Sequence, residues 1–415
     1  MLAVSTPSAG AVAQVGDIPQ HKQAVKQAPR DASAHAALGM TYLRAGRYAE
    51  AKRSLETAKK LEKDAPIAAV RVAEVAIAQG DYKAARNQCR KLWPKQGTPP
   101  AIAHVCMAKA FLAWNRSSRA FEELEAALAI EPTSSQAQLV LGHARRLRGQ
   151  VSEAEVAYGK AREDRSLAAD AELGLGRLYA AAGRPEEARA ALERAYELAP
   201  SWPEVLLELG LVSGQDDKAE RLLASALAGR PGWAEAARAL GDVRRARGDL
   251  AGAESAYREA IRADPLLAPA HAGLGFVLLA SRRIEEAEAS LRKSLELVAS
   301  NGPAALGLAE VLLQKGLIEE AVEQFRHAAD VDPRDPTGLV RAAEVLLAEG
   351  RSVMAGAFLD RALEAHPELG RALVLYGDIM RARGDKPSAK RYYERALKGR
   401  GAIDRARIEK ALRDL

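Results

Sequence analysis

The chain is 415 residues long with 48% apolar but only 5% aromatic side chains, so its core is built of alanine and leucine, and few rings remain to stack on bases. Its 61 basic and 55 acidic residues give a net charge of +6 spread as mixed sign without a basic block, and nucleic-acid binding is not expected. No stretch approaches the length of a membrane-crossing helix, so no transmembrane segment is expected.

From the N-terminus, residues 1–16 carry no period and read as a disordered tail or a signal-peptide remnant. The run lacks a basic start, yet Ala11-Val12-Ala13 before Gln14 has the small-residue character of a cleavage site. The expected location is cytoplasmic or periplasmic, and periplasmic if this run is a truncated signal peptide. Residues 17–31 predict a single capping helix. From Ala32 onward, apolar residues recur at three and four positions, the helical period, in pairs of segments parted by a turn. Between Ala171 and Pro200, Gly183 suits the left-handed end of a first helix and Pro200 stops the second. Gly176 and Ala188 lack bulk where the two helices would cross, with Tyr179 and Leu192 to fill the space beside them.

Such pairs start at Ala32, Pro66, Ala101, Ser135, Ala169, Pro203, Ala234, Ala268, Gly302, Pro336 and Gly370. Residues 32–202 hold the first five. The sixth, residues 203–233, is irregular: Gly210 and Ala219 are nine residues apart where the other pairs have twelve. This predicts a shortened first helix and a joint in the array. Residues 234–403 hold five more pairs, and residues 404–415 predict a polar C-terminal capping helix.

A 34-residue period runs through the pairs. Small residues recur at Gly142, Gly176, Gly241, Gly275, Ala309, Ala343 and Gly377, and an alanine follows each by twelve, from Ala154 to Ala389. Proline stops recur at Pro132, Pro200, Pro231, Pro265, Pro333 and Pro367. This pattern resembles the tetratricopeptide repeat over residues 32–403. The resemblance implies an all-α, right-handed superhelical solenoid of about eleven helix-turn-helix repeats, with the C-terminal helix as its cap.

No catalytic constellation is evident. The seven histidines are scattered without metal-ligand spacing, and no phosphate loop occurs, so neither catalysis nor a cofactor nor a metal is expected. Gly174-Leu175-Gly176 imitates part of a dinucleotide loop, but it lies mid-helix at packing positions. Arg247-Gly248-Asp249 and Arg383-Gly384-Asp385 spell an adhesion tripeptide, yet each falls at an inter-helix turn where glycine ends one helix and aspartate caps the next. Cys89 and Cys106 read as two buried small hydrophobes, with a disulfide feasible if the protein is exported and their Cα atoms lie within about 7 Å.

The resemblance implies a non-enzymatic scaffold for protein–protein interaction that holds a protein or peptide segment in a concave groove lined by the first helices. Carried over at the second, fifth, ninth, twelfth and thirteenth residues of each repeat, the groove includes Met40, Leu43, Val70, Ile77, Val105, Leu112, Leu139, Leu173 and Leu207. Towards the C-terminus it includes Phe276, Leu279, Leu306, Leu313, Val340, Leu347 and Val374, some of which must serve helix packing. Glu310, Glu344 and Asp378 recur at one register position and would align as an acidic column beside those residues. Arg341, Arg371 and Arg381 either neutralise the column or leave it open to a basic partner segment. A Lys-and-Asn clamp for a C-terminal carboxylate has no match. Alternative roles are a bacterial envelope-assembly subunit, in polysaccharide export or motility machinery, and the regulatory arm of an enzyme whose catalytic part is elsewhere. The sequence does not fix the oligomeric state.

Overall fold

The computed structural model describes residues 18–62 and 66–415; the tail at 1–16, its cleavage-site run and Asp17 lie outside the described residues. Among the described residues the regular structure is 24 α-helices. Helix α1 (Ile18–Gln27) precedes the hairpins α2 (Ala32–Arg44) with α3 (Tyr48–Leu61), α4 (Pro66–Ala78) with α5 (Tyr82–Arg90), and α6 (Ala101–Ala113) with α7 (Ser117–Ile130). Next come α8 (Ser135–Leu147) with α9 (Val151–Arg162), α10 (Ala168–Ala181) with α11 (Pro185–Leu198), and α12 (Pro203–Val212) with α13 (Asp217–Gly229). Helices α14 (Ala234–Ala246) and α15 (Leu250–Ala263) follow, then α16 (Ala268–Ala280) with α17 (Ile284–Leu297), and α18 (Gly302–Gln314) with α19 (Ile318–Val331). The chain ends with α20 (Thr337–Ala348) and α21 (Ser352–Ala365), α22 (Gly370–Ala382) and α23 (Lys386–Lys398), and α24 (Arg405–Arg413).

The chain divides into two units, one ending at Arg247 and one running Gly248–Leu415. The division falls past residues 203–233, the stretch where the sequence suggests a joint. Helix α12 is short, at 10 residues, yet it buries Pro203, Val205, Leu206, Leu207 and Leu209 with Trp202 before it. Dense leucine packing over three turns keeps this hairpin within the first unit.

Each hairpin is set by a close helix crossing. A Cβ added at Gly176 would lie 2.4 Å from Leu192 Cγ, and one at Gly142 would lie 2.6 Å from the Tyr158 ring. Ala188, the partner position on α11, is fully buried. Gly174 serves the neighbouring repeat instead: its missing Cβ admits the Tyr158 ring, 2.4 Å away. Tyr179 sits at the hairpin's edge beneath the Arg184 guanidinium, 4.5 Å from the ring centroid. The two adhesion-like tripeptides are turns, with the Asp249 side chain accepting from the Gly252 amide and Asp385 from the Ser388 amide.

Cys89 on α5 and Cys106 on α6 form a disulfide across a Cα separation of 5.5 Å. Both cysteines are buried, and the bond that the sequence left open is formed. Helix α5 is only 9 residues long, so the proline-rich loop after it brings α6 back alongside, and both sulfurs meet in the core.

At the C-terminal end, the Gly370 amide donates to the Arg400 carbonyl at 2.8 Å and the Arg400 amide donates to the Glu368 carbonyl at 2.7 Å. This pairing turns the chain so that Ile408 of α24 is buried against Leu373 and Tyr393.

The turn glycines take positive φ, as at Gly183 (φ 71), but repeat 8 places Arg282 there at φ 58. A left-handed residue other than glycine costs roughly 1–2 kcal/mol, and glycine's extra unfolded-state freedom offsets about 0.5–1 kcal/mol of that. Arg282→Gly is therefore expected to raise stability by about 0.5–1 kcal/mol, seen as a higher thermal midpoint by circular dichroism; an unchanged or lower midpoint contradicts the strain.

Candidate functional site

In the first unit, α2, α4, α6, α8, α10 and α12 contribute to the wall of one cavity of about 880 Å³. Met40, Leu43, Val70, Ile77, Leu139 and Leu173, all groove positions from the sequence, line it. The charged part of the wall comprises Arg44, Glu62, Arg71, Glu74, Lys109, Asp170, Arg177, Glu204 and Arg230, with His143 among them.

The cavity is a chamber because repeats 1 and 6 meet. Arg230, just past α13, donates from Nη2 to the Tyr48 hydroxyl at 3.0 Å and from Nη1 to Glu204 Oε1 at 3.4 Å. The Arg44 guanidinium lies 4.2 Å from the centroid of the Trp202 ring. Gly46, in the turn between α2 and α3, lets the Arg230 side chain lie against the backbone: an added Cβ would be 3.4 Å from its Nε. The Arg44–Trp202 contact is worth about 0.5–2 kcal/mol and the Arg230–Tyr48 bond about 1.5–3 kcal/mol. Neighbouring repeats instead bury several leucines and valines, each worth about 1.5–3 kcal/mol. The seam is the weaker join.

The charges inside the chamber differ in how far their partners offset burial. Glu74 accepts from Arg71 at 2.8 Å and from Lys109 at 2.5 Å. Burial opposes its ionisation, but these two cations outweigh burial and bring its pKa to about 2. Arg177 is paired with Glu208 at 2.7 Å. Asp170 and Glu204 differ: burial raises both, against the pull of Arg44 and the other cations. His143 is held neutral, its pKa pushed down to about 3 by burial and then by Arg146, Lys109 and Arg177. Trp202 Nε1 and Glu204 Oε2 are buried without a hydrogen-bond partner among the described residues. No cluster of three or more metal-ligating side chains occurs among the described residues.

The second unit places the expected C-terminal groove differently. Val340 and Val374 are buried, 5% and 7% exposed, and belong to the core. Leu306, Leu313 and Leu347 stay half-buried against one core cluster, and Phe276 and Leu279 against another. The acidic column is neutralised from within. Arg341 grips Glu310 through Nε at 2.8 Å and Nη2 at 3.0 Å, and reaches Glu344 through Nη1 at 2.7 Å. Arg371 also donates to Glu344. Asp378 takes its charge partner from α24, where Arg407 donates at 2.6 Å, while the Tyr393 hydroxyl donates at 2.7 Å. Arg381 makes none of these pairs; Arg407 of α24 takes Asp378 instead.

Three profiles described as tetratricopeptide repeat match the chain, one over residues 42–109 and 278–339, one over 169–212, and one over 20–51, 211–268 and 318–370. The chain is a tetratricopeptide repeat protein. Among solved structures, an IFIT1 monomeric mutant with Gppp-AAAA aligns with a TM-score of 0.51 at 16% identity, covering 92% of this chain and 95% of that one. Yeast Tom70 aligns at 0.46 and 14% identity over 96% of this chain and 92% of its own. A thermophilic repeat protein of Thermus thermophilus, TTC0263, aligns at 0.38 and 29% identity over 43% of this chain and 99% of its own. No curated protein matches the sequence. The repeat family is an interaction scaffold, and no helix among the described residues is long and apolar enough to cross a membrane.

The charged chamber had a sequence signal. Counted from Pro66, Ala101, Ser135 and Ala169, the ninth residue of each repeat is Glu74, Lys109, His143 and Arg177. That is the register position which holds Glu310, Glu344 and Asp378 further on. Arg44, Trp202 and Arg230 gave no such signal, since nothing local says that repeats 1 and 6 touch.

Glu74 carries a testable pH dependence. Its folded pKa, about 2, lies below that of an unfolded glutamate, so its stabilisation is complete above about 4.5 and is lost as pH falls towards 2. The loss should reach about 2–4 kcal/mol. Glu74→Gln should be less stable than the native chain at pH 6, with the difference vanishing near pH 2 in denaturant titrations. A difference that does not change with pH counts against the buried triad.

Proposed function

We propose that this protein is a non-enzymatic scaffold that holds a segment of a protein partner inside the chamber of its first unit. The observation that supports this most is the contrast between the two concave faces. In the second unit the carboxylates are satisfied by Arg341, Arg371 and Arg407. In the first, apolar wall alternates with desolvated charge, and Trp202 Nε1 and Glu204 Oε2 remain unpaired. A volume of about 880 Å³ falls in the range of formed ligand sites, roughly 300–1,000 Å³. A polypeptide offers both donors and acceptors for such a wall, together with apolar side chains for Met40, Leu43 and Leu173.

The measurement is capture of partners from the native host by three baits. The native chain and Leu313→Arg, altered only in the second unit, should retain the same partner. The double variant Met40→Arg with Arg177→Glu should lose it by at least about tenfold, as expected when central contacts are removed. Equal capture by all three baits would overturn the chamber reading.

A second reading, an envelope-assembly subunit working in the periplasm, has one supporting observation. A disulfide buried in the core, with Cys89 and Cys106 at 0% and 1% exposure, suits an oxidising compartment, because reducing cytosol keeps such thiols apart. Protein taken from its host without reductant and alkylated while unfolded should show no free thiol by mass spectrometry. Two alkylated cysteines would place it in a reducing compartment and remove this reading.

A further inference from the structure

We propose that the contact between repeats 1 and 6 is a latch, and that the first unit alternates between a closed ring and an open arc. The closed ring shields the chamber, while the open arc exposes it along its length. This rests on the chamber being the partner site, but it concerns how that site is reached.

The joins along the unit and the join across the seam are made differently. Successive helices pack on one another throughout the first unit, whereas no helix pair across the seam, α2 or α3 with α12 or α13, is among the packed pairs. The seam includes the Arg44 guanidinium on the Trp202 ring and Arg230 between Tyr48 and Glu204. Arg230 approaches a glycine, Gly46, so no interlocking side chain resists its withdrawal. A partner segment in the middle of a chain has no free end to thread through a ring. It can enter only where the wall parts, and this is the place where parting separates no packed helix pair.

The charges also favour a join that can be released. Arg44 and Arg230 face Asp170 and Glu204, with Arg71, Glu74, Lys109 and Arg177 presented by the neighbouring first helices. Burial weakens the charged form of Arg44 and of both carboxylates. Opening returns these groups to water, so part of what is lost in contact is recovered in solvation.

The test uses spin labels on the full chain at Lys52→Cys and Ala228→Cys, both exposed and on opposite sides of the seam. The native cysteines are bonded to each other and do not take label. Electron–electron distance measurements on the otherwise native chain should show a short distance as the major population and a longer one as the minor. Arg44→Ala with Arg230→Ala should make the longer population the major one, with helical content unchanged by circular dichroism. Tyr48→Phe, which removes one hydroxyl and no packing, should shift the populations the same way by less. A single short distance in all three proteins would overturn the latch, as would a chain with no short distance at all. No partner is present in this measurement, so its failure leaves the chamber reading standing, and failure of partner capture leaves the latch standing.

Discussion

The structure depends on the absence of a side chain where two helices of one hairpin cross. With glycine at position 176 the backbone of α10 comes close enough for Leu192 to sit on it, at a distance that even one methyl would forbid. The same contact recurs with Leu55 on Gly39, Leu291 on Gly275 and Tyr393 on Gly377. Close crossing fixes the hairpin, and the hairpin fixes which face each first helix turns inward. Alanine suffices at Ala309 and Ala343, both fully buried. A core of alanine and leucine is thus a requirement of the geometry, and explains why so few aromatic residues are needed.

The two concave faces show how burial and charge compete. Along α18, α20 and α22 the carboxylates are partly exposed and each has an arginine, so the interaction is a chain of partly solvated pairs. In the first unit the same register lines the chamber and mixes both signs, with Glu74 between Arg71 and Lys109. There Glu74 stays ionised because two cations touch it, whereas Asp170 and Glu204 shift towards the neutral form because their cations do not outweigh burial. The residue types differ as well: the first unit carries Glu74, Lys109, His143 and Arg177 at the position where the second carries Glu310, Glu344 and Asp378. A wall whose charge is imperfectly matched against burial is costly for the free protein, and this is the physical ground of the proposed partner site.

Enclosure itself comes from curvature. Each repeat adds a small rotation to the one before, and six repeats bring Trp202 and Arg230 back to Arg44 and Tyr48. The disulfide lies on this path, between α5 and α6, where a short second helix and a long loop would otherwise leave the second and third repeats loosely joined. It holds together the two repeats whose first helices, α4 and α6, carry Glu74 and Lys109.

The sequence alone determined the hairpins, their turns and their number, because the helical period, the turn glycines and the proline stops act over a few residues each. It also specified the capping helices and the apolar side chains of the chamber wall, which follow from position within one repeat. Tertiary structure decided the rest. Val340 and Val374 left the groove for the core because a neighbouring repeat covers them, and Asp378 found Arg407 of α24 instead of Arg381. Cys89 met Cys106 because a loop returned one helix to the other. The closing of repeat 1 on repeat 6 is the sum of five small rotations. No local run of residues encodes such a sum, so the chamber, the unpartnered Trp202 Nε1 and Glu204 Oε2 atoms and the contact between repeats 1 and 6 appear only when the whole unit is folded.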